Sequence, residues 1–104
     1  MYYRIHKKWV INGELSPGVF RNRGSGMSVD WDRYSTPVES QNRSRTPSDN
    51  GVVTFVALKL RQLPGQILEH SPIRENRSHS EVIGEKTEEV RLKMMECFEW
   101  EIGI

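Results

Sequence analysis

A chain of 104 residues provides one domain with a modest core. Its 36% apolar and 28% charged residues exclude a disordered tail. Fifteen Lys and Arg against fourteen Asp and Glu leave a formal charge of +1, so nucleic acid is not favoured by net charge, although a local basic patch stays open.

Tyr2 to Ile11 is rich in aromatic and β-branched residues and reads as an extended edge segment, with Asn12-Gly13 as the turn pair of an opening hairpin. Ser16-Pro17-Gly18 is a further turn, Val19-Phe20 an apolar anchor, and Arg21 to Gly26 a basic, glycine-bearing loop. In Met27-Ser28-Val29-Asp30-Trp31 apolar and polar residues alternate, so Ser28 and Asp30 share one face of a strand and Met27, Val29 and Trp31 the other. Thr36-Pro37-Val38-Glu39 has the form of a capping box and opens a short helix over 37–42. From Ser40 to Asn50 there is no large apolar residue, which predicts a mobile surface loop.

The run from Gly51 divides into a buried strand, 52–56, and a short helix, 57–62, stopped by Pro64-Gly65; a single strand reaching Leu60 is the alternative. Gln66 to Glu69 reads as a short strand that delivers His70 to its end. Two periods overlap at the C-terminus: Val90, Leu92, Met94, Phe98, Trp100 and Ile102 alternate, while Val90, Met94, Cys97 and Phe98 form a helical stripe. Thr87 as N-cap with Glu88 and Glu89 in the first turn favours a helix over 87–97 followed by a strand over 98–102. The expected fold is a single α+β domain, with short strands in a mixed or antiparallel sheet and two or three short helices.

One cysteine, Cys97, forms no intrachain disulfide and suits a reducing compartment. With no apolar run of roughly 18 residues and no signal-like start, the expectation is a cytoplasmic protein without membrane association. Zinc requires three or four ligands, and His6, His70, His79, Asp30 and Cys97 include no recognised close-spaced pair. The sequence leaves the cofactor unknown. The Arg21 to Gly26 loop offers an anion nest without matching a known phosphate-loop pattern, and its flexible-turn alternative carries more weight. Three Trp and three Tyr are many for this length; core packing accounts for most of them, and an exposed pair near Arg21 or Arg23 is suited to stacking a nucleobase.

The segment His70-Ser-Pro-Ile-Arg-Glu-Asn-Arg-Ser-His-Ser80 brings two imidazoles, a guanidinium, an amide and hydroxyls close together in sequence. Imidazoles titrate near neutral pH and Arg offers a fork matched to phosphate or carboxylate. A catalytic reading assigns proton transfer to His70 and His79 with Asp30 orienting one ring, and ligand binding to Ser28, Asn76 and Arg77. A bland reading carries more weight: Pro, Asn, Ser and Arg also make an ordinary exposed connection.

Phe20, Ser28-Val29-Asp30, His70, Pro72, Asn76, His79 and Gly84 together resemble a group of small uncharacterised prokaryotic proteins. In that group an S-V-D stretch precedes an H-x-P-x-x-x-N-x-x-H-x-x-x-x-G stretch, and the likeness spans residues 19 to 100. The resemblance implies that Ser28, Asp30, His70, Asn76 and His79 belong to one assembly, and leaves its chemistry open. Two classes of function follow: a small enzyme-like module acting on a phosphorylated or nucleotide-like ligand, or a non-catalytic module that binds a protein partner.

Overall fold

The computed structural model describes residues 1–104. Six strands, β1 (Tyr2–His6), β4 (Gly26–Asp30), β5 (Asn50–Thr54), β6 (Ile67–His70), β7 (His79–Ile83) and β8 (Glu99–Ile102), form an antiparallel sheet in the order β6-β7-β4-β1-β5-β8. A minor hairpin joins β2 (Val10–Ile11) to β3 (Glu14–Leu15). Three helices, α1 (Pro37–Asn42), α2 (Ala57–Arg61) and α3 (Glu88–Cys97), complete an α+β domain. None is long and apolar enough to cross a membrane.

Alternation decides which face each strand buries. Ile5, Met27, Val29, Val53 and Val82 lie in the core cluster and are at most 2% exposed. They pack with Leu60 of α2 and with Val90 and Met94 of α3. Phe20 sits within this layer, its ring 5.5 Å from Phe55, 6.0 Å from Tyr3 and 6.1 Å from Phe98. Each such side chain contributes about 1.5–3 kcal/mol through burial. α1 covers part of the opposite face, against β1, β5 and β8.

Local chemistry sets the helix boundaries. Thr36 Oγ1 accepts from Glu39 N and the Glu39 carboxylate accepts from Thr36 N, the capping box read from the sequence. Thr87 Oγ1 accepts from Val90 N, and the helical stripe Val90/Met94 prevails over strand alternation until Cys97, after which Trp100 pairs with Val53 in β8. Gly51 permits β8 to approach, since a Cβ there would lie 2.5 Å from the Ile102 carbonyl oxygen.

Four expectations differ from the structure. The first strand is not at an edge: it ends at His6, lies between β4 and β5, and gives way to a 3₁₀ turn (Lys7–Trp9) because His6 Nδ1 accepts from Lys8 N. The Asn12-Gly13 turn is present, with φ of 53° and 79°, but closes the minor hairpin. The segment from His70 to Ser80, read as an exposed connection, already ends inside a strand, β7 (His79–Ile83), in which buried Ser80 satisfies its hydroxyl by donating to Ser78 O. Finally, the stretch from Ser40 to Asn50 starts inside α1 and ends in β5, with both terminal residues buried. Asn50 organises it by donating to Thr46 O at 2.7 Å.

Lys86 pins the junction between β6, β7 and α3. It is buried, and its ammonium donates to Gln66 Oε1 (2.6 Å), Gly84 O (2.8 Å) and Val82 O (2.9 Å). Burial, aided by Arg91, lowers its pKa from 10.5 to about 8. Between those values the unfolded chain holds more protons than the fold, so this group makes the fold more stable as pH rises through that window. The denaturant midpoint of the wild-type protein should therefore rise relative to Lys86→Met between about pH 7.5 and about pH 9.5. A difference that stays constant across that range contradicts the assignment.

Candidate functional site

Asp30, at the end of β4, is 3% exposed, and its carboxylate is surrounded by donors. Oδ2 accepts from Ser40 Oγ (2.5 Å), Arg43 Nη1 (3.2 Å) and Arg4 Nη1 (3.4 Å). Oδ1 accepts from Asn76 Nδ2 at 2.8 Å and lies 3.3 Å from Ser78 Oγ, which also donates to Asn76 Oδ1. Burial pushes the carboxyl up, but the hydrogen bonds from Ser40 and Asn76 with the charges of Arg4 and Arg43 outweigh it and hold the pKa below its ordinary value. A carboxylate has about four acceptor positions, and these donors fill them.

Of the residues singled out in sequence, the structure therefore brings Asp30 and Asn76 into direct contact. It does not join the imidazoles to them. His79 lies across from Asp30 in the β4/β7 register, yet its Nδ1 donates to Ser71 O at 2.8 Å. His70 Nε2 donates to Arg77 O at 2.8 Å. In each case the carbonyl can only accept, so it fixes the proton on that nitrogen. Asp30 orients neither ring.

The remaining groups of the 70–79 segment pack against the turn after β4. His70 lies edge-on to Trp31 at 4.9 Å and stacked on Tyr34 at 5.8 Å, while the Arg77 guanidinium sits 4.1 Å from the Tyr34 ring centre. Trp31 N donates to Ser78 O at 2.8 Å. His70, Asn76 and Arg77 thus clasp this segment to β4, with Arg77 spending its planar face on an aromatic ring.

Ser28 belongs elsewhere. β1 and β4 are neighbours in the centre of the sheet, but the register pairs only Tyr2 with Asp30. Extending that antiparallel register would set Arg4 opposite Ser28 and His6 opposite Gly26. Instead the strands separate, and Arg4, His6 and Ser28 line an open cleft of about 500 Å³. Lys8 and Trp9 from the 3₁₀ turn, Tyr3 and Val19, Arg21 and Arg23 from the basic loop, and Ser44 and Arg45 after α1 complete it. No carboxylate lines this cleft. Lys8, Arg21, Arg23 and Arg45 are exposed and make no ion pair, and Arg4 is shared with Asp30.

Several contacts fix this lining in advance. Arg21 lies 5.2 Å from the Trp9 ring centre, Arg23 N donates to Gly26 O at 2.8 Å, and Asn22 Nδ2 donates to Gly84 O at 3.0 Å. Tyr3 Oη donates to Val19 O at 2.6 Å, and burial raises its pKa, so the phenol stays neutral. His6 Nδ1 accepts from Lys8 N at 3.0 Å, which engages that ring nitrogen. The cleft is a set of donors without a free base.

Sequence reasoning offered the Arg21 to Gly26 loop as an anion nest but gave more weight to a flexible turn, and it did not join Arg4, His6, Lys8 and Arg45 to that loop, because residues distant in sequence meet only where β1 parts from β4. Comparison of the chain with protein-family models, curated proteins and solved structures finds no match.

Removing the Asp30 carboxylate leaves Arg4, Arg43, Ser40 and Asn76 without their common acceptor. Asp30→Ala should cost about 3–5 kcal/mol in urea or thermal unfolding, and Asp30→Asn less, because the amide keeps one acceptor. The carboxylate's contribution is present above its ordinary value of 3.8 and is lost as pH falls through and below it. An Asp30→Ala protein as stable as wild type at neutral pH would contradict the structural role of this carboxylate.

Proposed function

We propose that the protein is a small cytoplasmic binding module for a phosphorylated, nucleotide-like ligand, held in the cleft between β1 and β4. One observation carries the proposal: four unpaired cations from three chain segments, Lys8, Arg21 with Arg23, and Arg45, converge on a carboxylate-free hollow in a protein whose formal charge is only +1. Guanidinium forks and an ammonium suit phosphate oxygens, which only accept.

Binding is favoured over catalysis by the state of the groups present. A general base needs a free acceptor nitrogen or carboxylate near the ligand, and the cleft supplies neither. His70 and His79, the alternative proton-transfer pair, have carbonyl partners outside this lining. The cytoplasmic assignment is supported by Cys97, a half-buried thiol whose pKa burial pushes up and which suits a reducing compartment.

Titration with inorganic pyrophosphate and with ATP, followed by NMR, tests the assignment. Resonances of Arg4, Lys8, Arg21, Arg23 and Arg45 should move while those of residues 70–79 stay in place. Arg23→Ala and Arg45→Ala should each weaken binding about tenfold, as expected for loss of a charge-assisted hydrogen bond. Shifts confined to the 70–79 segment would place the ligand there instead; absence of any shift would remove the function.

A further inference from the structure

Resting on that binding reading, we propose that the cleft's ligand is a single strand of nucleic acid, gripped along its phosphodiester backbone with little regard to base sequence. The cleft is lined by four unpaired cations drawn from three separate segments: Arg45 follows α1, Lys8 precedes β2, and Arg21 and Arg23 precede β4. A lone phosphate satisfies one or two such groups, whereas a chain of phosphates meets them in succession.

The rest of the lining narrows the class further. A free nucleotide is held by its base as well as its phosphates, and reading a base edge requires well-placed acceptors together with donors. This cleft has no amide or carboxylate side chain, and its two serines are its only hydroxyls besides the engaged Tyr3 phenol. What it offers a base is the half-buried Trp9 ring, with the Arg21 guanidinium 5.2 Å and the Lys8 ammonium 5.9 Å from its centre. Aromatic and guanidinium planes accept any base by stacking, which is how sequence-tolerant grooves hold single strands.

The test is fluorescence anisotropy with a labelled oligouridylate of about 12 nucleotides, its duplex with oligoadenylate, and competition by ATP and pyrophosphate. The single strand should bind more tightly than the duplex. For about four phosphate contacts the affinity should fall roughly 50-fold between 50 and 200 mM salt, and Arg23→Ala or Arg45→Ala should each reduce the log–log salt slope by about 0.7. Both side chains are exposed and bear no ion pair, so the variants should fold; Lys93→Ala, remote on α3, serves as the charge control and should bind as wild type.

Binding of ATP or pyrophosphate without the oligonucleotide would overturn the single-strand assignment and leave the phosphorylated-ligand function standing. Equal affinity for duplex and single strand would overturn it as non-specific charge attraction. Failure of every probe to bind would remove both.

Discussion

A charge removed from water must find compensation, and in this fold the Asp30 carboxylate is the charge that organises its surroundings. Its donors come from three separate places: β1 through Arg4, α1 and its C-terminus through Ser40 and Arg43, and the segment before β7 through Asn76. Apolar burial on the other face of the sheet supplies most of the driving force, but it is non-directional. The carboxylate adds direction. It fixes where α1 lies on the sheet, how the 70–79 segment closes over the end of β4, and which way Arg4 leaves β1.

This constraint connects the fold to the cleft. Asp30 faces Tyr2 at the only paired position between β1 and β4, and the strands part immediately beyond it. A seam left open in the middle of a sheet leaves backbone donors and acceptors without their ladder partners, a condition tolerated where water or a ligand can reach them. The cleft provides that access. Arg4 belongs to both systems, donating to Asp30 and Ser40 O while lining the opening. The hub therefore acts as a positioning element for the cationic wall, without itself meeting a ligand.

What the sequence made legible was whatever short-range chemistry determines. The capping box at Thr36, the Thr87 cap with its acidic first turn, the Asn12-Gly13 turn and the alternation of β4 all act within a few residues, and all appear in the structure. The fold class was readable for the same reason. Less legible were β7 and the polar stretch after Ser40, because the buried residues there and just before β7 are mostly small and polar, Ser40, Asn50, Ser78 and Ser80 beside the one apolar Val82. Small polar side chains look solvent-loving until their hydrogen-bond partners are known, and those partners lie on other segments. The same difficulty affected the site. His70, Asn76, Arg77 and His79 combine the residue types of a catalytic loop, yet carbonyls, an aromatic ring and a buried carboxylate use most of their hydrogen-bonding capacity internally.

Net charge was the least informative number of all, and the reason is geometric. Coulomb interactions with a ligand in contact depend on the charges within about a Debye length, roughly 8–10 Å in physiological salt, and not on the sum over the molecule. Here none of the paired carboxylates lines the cleft: Asp49 pairs with Lys7, Glu89 pairs with Lys93, and Asp30, buried beneath Arg4 and Arg43, reaches only one lining residue, Arg4. A balance of fifteen basic against fourteen acidic residues thus conceals a separation in space. The field a ligand meets is set by Lys8, Arg21, Arg23 and Arg45, which no carboxylate answers, with Arg4 only partly neutralised behind them.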